Sequence, residues 1–303
     1  MHIHSRSVVY FDMIRRVGSI RGAAKHLHVT ASAINRQLLQ LEQEVGTPLF
    51  ERLPSGLQLT SAGESFARHV ITVLQDSHRL ANDLDALRGI RRGSVHLMTA
   101  EGLMPNMVST LVGRMLAKYP MVDITVGAGD AERMASAVAN GEADVAIGFA
   151  LRRRTDLRQV GVGRYAFGAV VSPDHALANQ AQVTLADCAK YPLILANEQL
   201  STYAVLEPIL RNFKRPYKVA LRTGSIELMK VLAATGAGVA FQTRIGMDAD
   251  LAQKKLVFLP LRAPGKLYSE VGIYVRAGRS LPPAVDAFLR FADEELERQS
   301  SLE

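Results

Sequence analysis

Gly18 to Thr60 reads GSIRGAAKHLHVTASAINRQLLQLEQEVGTPLFERLPSGLQLT, and its reading decides the fold of the N-terminal part of this 303-residue chain. Ala23, Ala24 and Leu27 sit about one turn apart on a short helix, and Ser19 is placed to accept one of its free N-terminal amides. His28, Val29 and Thr30 make a turn. Ile34, Leu38, Leu41 and Val45 then recur at steps of four, three and four, which is one apolar stripe of a second helix. The opposite face carries Thr30, Ser32, Asn35, Arg36, Gln37 and Gln40. Hydroxyls, amides and a guanidinium on the first half of a short helix suit base edges and phosphates in a major groove. The two small alanines let the second helix pack closely across the first. An ordinary helical hairpin with a solvated polar face has the same spacing. The residues after the second helix favour DNA: Leu49–Arg52 and Leu57–Thr60 flank Pro54-Ser55-Gly56, a turn signal, so a hairpin succeeds the helix as a wing.

The stretch resembles the DNA-binding domain of LysR-type transcriptional regulators. The resemblance rests on Phe11, Gly18-Ser19, Ala23-Ala24, Leu27, Ile34, Leu41-Glu42, Val45-Gly46, Leu49-Phe50, Arg52, Leu59-Thr60 and Ala62-Gly63, in the family's order and spacing. It implies DNA contacts from Thr30, Ala31, Ser32, Asn35 and Arg36, with Arg52 on the backbone. The family often has Ser where this chain has Asn35. An Asn can bond adenine N6 and N7 bidentately, so base preference at that position stays open.

Composition fits this reading. The chain is 48% hydrophobic and 21% charged, with net charge +7. Its pI is about 9.6. Residues 1–93 hold 12 Lys+Arg against 8 Asp+Glu; the other 210 hold 24 against 21. The basic excess is mild and densest where DNA is expected. Cys188 is the single cysteine, so an intrachain disulfide is excluded and a reducing cytoplasm fits. Met1-His2-Ile3-His4 precedes no long apolar run, and no stretch approaches about 18 apolar residues; neither a signal peptide nor a membrane span is expected.

Residues 5–17 read as an opening helix that braces the unit. After the wing, Thr60-Ser61-Ala62-Gly63-Glu64 starts a long helix, capped by Ser61 with Glu64 at capping-box spacing or by Thr60. Phe66, Val70, Val73, Ser77, Leu80, Leu84 and Leu87 then recur at steps of four and three, a heptad seam broken only by Ser77. A helix of about 28 residues spans about 42 Å, too long to bury its seam on the small winged unit alone. Its expected partner is the same helix of a second subunit, through Phe66, Val70, Val73, Leu80, Leu84 and Leu87; packing on its own chain is the alternative. A two-fold dimer reads two half-sites of an interrupted palindrome. The resemblance implies such a homodimer, often a homotetramer, with RNA polymerase a further partner. Gly89–Gly93, GIRRG, ends the helix.

Beyond it, strands alternate with helices. Expected strands are 95–99, 122–126, 145–147, 167–171, 193–195, 218–222, 239–241, 256–259 and 271–275. Expected helices are 105–118, 132–139, 202–212, 226–234 and 283–297. Leu116–Pro120, Asn140–Ile147 and Gly236–Ala240 carry the family resemblance onward, more loosely. They imply an α/β effector-binding domain like the type 2 periplasmic binding proteins, in two sub-domains with crossings near 161–164 and 264–267. The organisation expected is therefore 1–60 winged helix-turn-helix, 61–93 linker and dimerisation helix, and 94–303 effector domain. Its sub-domain I is 94–163 with 266–303, and sub-domain II is 164–265.

In open α/β sheets, ligands lie beyond the carboxyl ends of strands. Those ends nominate Thr99, Glu101, Gly129, Phe149, Ser201, Thr202, Ser225, Gln242 and Thr243 for a small-molecule effector. For Ser201, Thr202 and Ser225 taken individually, helix capping is the favoured role; it is the group as a whole that the resemblance nominates. Hydroxyls and backbone amides there suit a carboxylate; Glu101 would repel one and favours an amine or a neutral compound. No nucleophile elbow, P-loop, dinucleotide fingerprint or metal spacing appears, so neither an enzyme nor a cofactor is expected. His2/His4 and His26/His28 are pairs without a third ligand, and Arg152–Arg154 reads as a solvated charge run. A transporter's solute receptor fits the α/β half but not the winged unit.

Overall fold

The structure, a computed structural model, describes residues 6–54, 56–87, 93–149, 151–152, 154–263, 265–278 and 280–300, with the backbone alone at 78–79, 81–87, 263 and 265–266. It divides into two compact units, residues 1–90 with 279–282, and residues 91–278 with 283–303.

The first unit runs α1 (Arg6–Val17), α2 (Ile20–Leu27), α3 (Ala31–Val45), β1 (Phe50–Leu53), β2 (Gly56–Leu59) and α4 (Ser61–Leu87). Ser19 caps α2 by accepting from the Gly22 amide at 3.1 Å. His28 ends α2 in the left-handed region, at φ 53°, which turns the chain into α3. Ile34, Leu38 and Leu41 are buried as the period requires. Val45 is 40% exposed: it lies in the last turn before the left-handed Gly46, past the edge of the core. β1 and β2 pair antiparallel with Phe50 opposite Leu59 and Leu53 opposite Gly56. The Glu42 carboxylate accepts from the amides of Leu49 (2.7 Å) and Phe50 (3.2 Å), tying α3 to the start of the wing. Glu42→Ala leaves both amides without that acceptor, and we expect a loss of about 1–2 kcal/mol in urea unfolding. Glu42→Gln, which keeps one oxygen, recovers part of it.

Thr60, not Ser61, caps α4: its Oγ1 accepts from the Gly63 amide at 3.0 Å and donates to the Pro48 carbonyl at 2.8 Å. The front of α4 corrects the expected seam. Phe66 makes an edge contact with Phe11 at 4.9 Å, Phe11 meets Phe50 at 5.1 Å, and Val70 is fully buried in the same core. Phe66 and Val70 are thus spent on their own chain, because the first turns of the helix lie over the winged unit. Leu80 is 43% exposed. The side chains of Leu84 and Leu87, and the expected hinge at 88–92, lie outside the described residues.

The second unit begins with β3 (Gly93–Thr99), a 3₁₀ turn (Glu101–Leu103), a π turn (Met104–Val108), α5 (Ser109–Lys118), β4 (Val122–Ala128), α6 (Ala131–Ala139), β5 (Val145–Phe149) and β6 (Leu157–Val171). Next come β7 (Val183–Thr184), α7 (Leu185–Cys188), β8 (Leu193–Ala196), α8 (Ser201–Arg211), β9 (Val219–Thr223), α9 (Ile226–Ala234), β10 (Val239–Thr243) and α10 (Asp248–Ala252). β11 (Val257–Ala263), β12 (Gly265–Lys266), β13 (Tyr268–Arg276) and α11 (Pro283–Ser300) close it. The main sheet runs β4-β3-β5-β13-β6-β10-β8-β9. Two parallel trios, β4-β3-β5 and β10-β8-β9, flank a central ribbon of β13 and β6. β6 belongs to both halves: Leu157–Ala166 pairs with β13, and Phe167 onward pairs with β10 and β11. The switch at Ala166–Phe167 falls just past the expected crossing. The first ten residues of this strand carry Gly161 and Gly163, which hid it from the period-two pattern. Where 105–118 reads as one helix, the chain makes the π turn through Val108 before α5 begins at Ser109.

Candidate functional site

Two regions of the chain gather chemistry. The first is α3 with the wing. Thr30 caps α3, its Oγ1 accepting from the Ala33 amide at 3.3 Å and lying 3.1 Å from Ser32 Oγ. This fixes the first turn, on which Ser32 and then Arg36 stand exposed, with Ala31 and Asn35 half-buried. Arg52 on β1 donates to Asn35 Oδ1 at 3.4 Å. The structure therefore brings Arg52 against the helix face that carries Asn35 and Arg36. Guanidinium, amide and hydroxyl groups on one exposed surface are the donors that read phosphates and base edges.

The second region is the pair of strand ends in the α/β unit. Here the structure sorts the nominated residues. Thr99 is buried and donates its hydroxyl to the Ile147 carbonyl at 2.9 Å. Thr243 Oγ1 is 2.9 Å from Ser269 Oγ, also buried, and Gln242 donates to the Ile226 carbonyl at 3.4 Å. Thr202 Oγ1 is buried without a hydrogen-bond partner among the described residues. It adjoins a space of about 10 Å³ under α8, between Leu195, Leu206 and Phe241, too small for an effector. Thr99, Gln242 and Thr243 are spent on hydrogen bonds inside the fold and Thr202 is closed off under α8, so none of the four opens to a ligand, a correction to the sequence expectation.

What remains open is a smaller group. Glu101 is exposed, and Ser225 Oγ, from the other half of the sheet, lies 3.5 Å from its carboxylate. Ser225 also caps α9, accepting from the Leu228 amide. Ser201 and Phe149 are half-exposed, and the Gly129 amide donates to the Thr99 carbonyl. Asn197 and Gln199 belong here too, unnamed by the sequence reading. Their amide groups crowd Gly224, where a Cβ would sit 2.5 Å from Gln199 Oε1 and 3.1 Å from Asn197 Nδ2. The carboxyl end of β8 was the signal that pointed to them. Behind this group, α9 is anchored by Lys230, whose ammonium is 2.8 Å from both Glu227 and Asp250. Burial opposes the charge on Lys230, but the two carboxylates outweigh it and hold its pKa above the ordinary lysine value.

Cys188 is fully buried, and burial pushes its thiol up to about 12. Thiolate chemistry needs the opposite environment. In the folded chain Cys188 should resist iodoacetamide at pH 8, and react readily in urea; mass spectrometry of the alkylated fraction measures this. Among the described residues no group of three or more His, Cys, Asp and Glu is placed to hold a metal ion.

Comparison with known proteins agrees with this division. Residues 5–64 match the family described as "Bacterial regulatory helix-turn-helix protein, lysR family". Residues 88–297 match the family described as "LysR substrate binding domain". A RuBisCO operon transcriptional regulator of Allochromatium vinosum is 23% identical over 302 residues, covering 98% of both chains. The transcriptional activator IlvY of Salmonella typhimurium is 27% identical over 279 residues, covering 88% of this chain and 91% of that one. A full-length OxyR variant from Pseudomonas aeruginosa shares the fold at TM-score 0.72 and 18% identity, over 98% of this chain and 95% of that one. Full-length CbnR, solved in complex with its target DNA, does so at TM-score 0.57 and 18% identity, over 96% and 99%.

Proposed function

The chain belongs to the LysR family of bacterial transcriptional regulators, and from that premise we propose which of its residues read DNA and what kind of molecule regulates it. It is a DNA-binding transcriptional regulator with an effector-binding domain, and not an enzyme. Ser32, Asn35 and Arg36 contact bases and nearby phosphates, with Thr30 and Ala31 setting the entry of α3. Arg52 holds the wing side of the same surface. The observation that carries this is the Arg52–Asn35 contact, which puts wing and recognition helix on one face. Two copies, joined through the rear half of α4 at Val73, Leu80, Leu84 and Leu87, present two such faces to an interrupted palindrome. A homodimer or homotetramer results, acting in the cytoplasm and on RNA polymerase. Among the described residues no helix is long and apolar enough to cross a membrane.

The effector sits between the strand ends, against Glu101, Ser225, Asn197 and Gln199. One exposed carboxylate among neutral amides and hydroxyls suits a molecule with an amine or another hydrogen-bond donor, not a simple carboxylate. Its binding changes the approach of the two halves, and α4 passes that change to the DNA with a coupling of about 1–3 kcal/mol.

The test is selection of bound duplexes from a random pool at fixed salt, since phosphate contacts make affinity salt-dependent. Enrichment of a two-fold symmetric site is expected. Binding without enrichment, lost at moderate salt, overturns the assignment of base-reading residues.

A further inference from the structure

A groove of about 540 Å³ opens on the α/β unit away from Glu101 and Ser225, neither of which lines it. Its volume lies in the range of small-molecule sites. Ser109 and Thr110 of α5 form one wall, Arg244 and Asp248 another, and Arg298 of α11 the rim.

Among the side chains that line the groove, guanidiniums outnumber carboxylates. Arg244 Nη1 lies 2.8 Å from Asp248 Oδ1, and Arg298 Nη2 lies 3.9 Å from Asp248 Oδ2, so two guanidiniums face one carboxylate. The second anion that balances them, Glu295, takes Nε and Nη2 of Arg298 but is 1% exposed and does not line the groove. Asp248 Oδ2 is already engaged by Gln299 at 2.6 Å. Arg244 Nε and Nη2 and Arg298 Nη1 have no acceptor among the described residues. The groove thus presents spare guanidinium donors, with the exposed residues Ser109 and Thr110 opposite; Ser109 Oγ already donates to the Pro105 carbonyl at 2.8 Å and so meets a ligand as an acceptor.

Its floor is rigid. Asn106, 8% exposed, accepts from the Ala249 amide at 3.0 Å through Oδ1 and donates to the Gly246 carbonyl through Nδ2. Gly246, at φ +86°, lies so close to the Gly102 carbonyl that a Cβ would be 2.3 Å from its oxygen. The walls are therefore held in place without a ligand, which lowers the entropy cost of binding one.

We propose that this groove is a second small-molecule site, for a hydroxylated oxyanion. Carboxylate or phosphate oxygens lie between Arg244 and Arg298, and hydroxyls of the ligand meet Ser109 and Thr110. Because the site joins the segment 105–110 to the segment 244–252, its ligand fixes the spacing of the same two halves whose approach the effector changes. The site is independent of the DNA contacts and of Glu101.

Titration of the full-length protein by calorimetry and thermal shift tests this, with inorganic phosphate, gluconate and neutral sorbitol at ionic strength held constant with KCl. Saturable binding of gluconate or phosphate, and none of sorbitol, is expected; which of the two binds tells carboxylate from phosphate. Thr110→Glu, at an exposed position with no hydrogen bond to lose, puts a carboxylate in the groove and should weaken that binding at least about tenfold by charge repulsion. Glu101→Gln should leave it unchanged. No saturable binding of either anion, or binding that Thr110→Glu leaves intact, overturns the proposal. Binding that changes with Glu101→Gln places the anion in the effector cleft, and also overturns it.

Discussion

Gly63→Ala should abolish the folded winged unit. A Cβ at residue 63 would lie 2.0 Å from the Leu49 carbonyl oxygen and 3.0 Å from its carbon. Both are backbone atoms, and that carbonyl also accepts from the Thr60 amide at 3.1 Å, at the joint between β1 and α4. No rotamer change can make room; the joint must open. We expect a loss of about 3 kcal/mol or more, at the upper end of overpacking effects, read as a fall in the unfolding midpoint together with loss of DNA binding. Gly113→Ala is the contrast: it sits inside α5 with nothing within 4 Å of the added carbon. There the change should stabilise by about 0.5–1 kcal/mol, the helix-propensity difference. A folded Gly63→Ala protein of unchanged stability would refute the close approach of α4 to the wing.

The second large effect is on DNA. Arg36→Ala removes an exposed guanidinium that makes no hydrogen bond or ion pair among the described residues. Affinity for the selected operator should fall about 10- to 100-fold, or about 1–3 kcal/mol, with thermal unfolding unchanged. If Arg36 reads a base, discrimination at one position relaxes. If it meets only phosphate, affinity falls uniformly across sequences and the salt slope drops by about one. A variant with full affinity and unaltered preference would sink the role given to Arg36.

The N-terminal unit was legible for a local reason. Its caps, turns and apolar stripe act within a few residues: Ser19 on Gly22, Thr30 on Ala33, Ile34 with Leu38 and Leu41. Departures come where a surface is covered by something distant. The period of α4 shows which residues are apolar but not what covers them, and Phe11 and Phe50 claimed Phe66 for the chain's own core. In the α/β unit, the strand-end rule found the right loops, yet side-chain direction decided which residues face a ligand. Thr99 turned to Ile147, 48 residues away, while Glu101 two positions on stayed exposed.

By itself, then, the sequence determined the helix-turn-helix, the long α4, the alternation of strands and helices, and the family those patterns mark, because each rests on short-range periodicity and capping. Only the tertiary structure decided that the front of α4 belongs to its own unit, that β6 serves both halves of the sheet, and that four of the nominated hydroxyl and amide side chains are buried. It alone brought Asn106 to Gly246 across 140 residues and set Arg244 and Arg298 about one carboxylate. Such contacts depend on which surfaces meet when the chain closes on itself, and no local pattern carries that information.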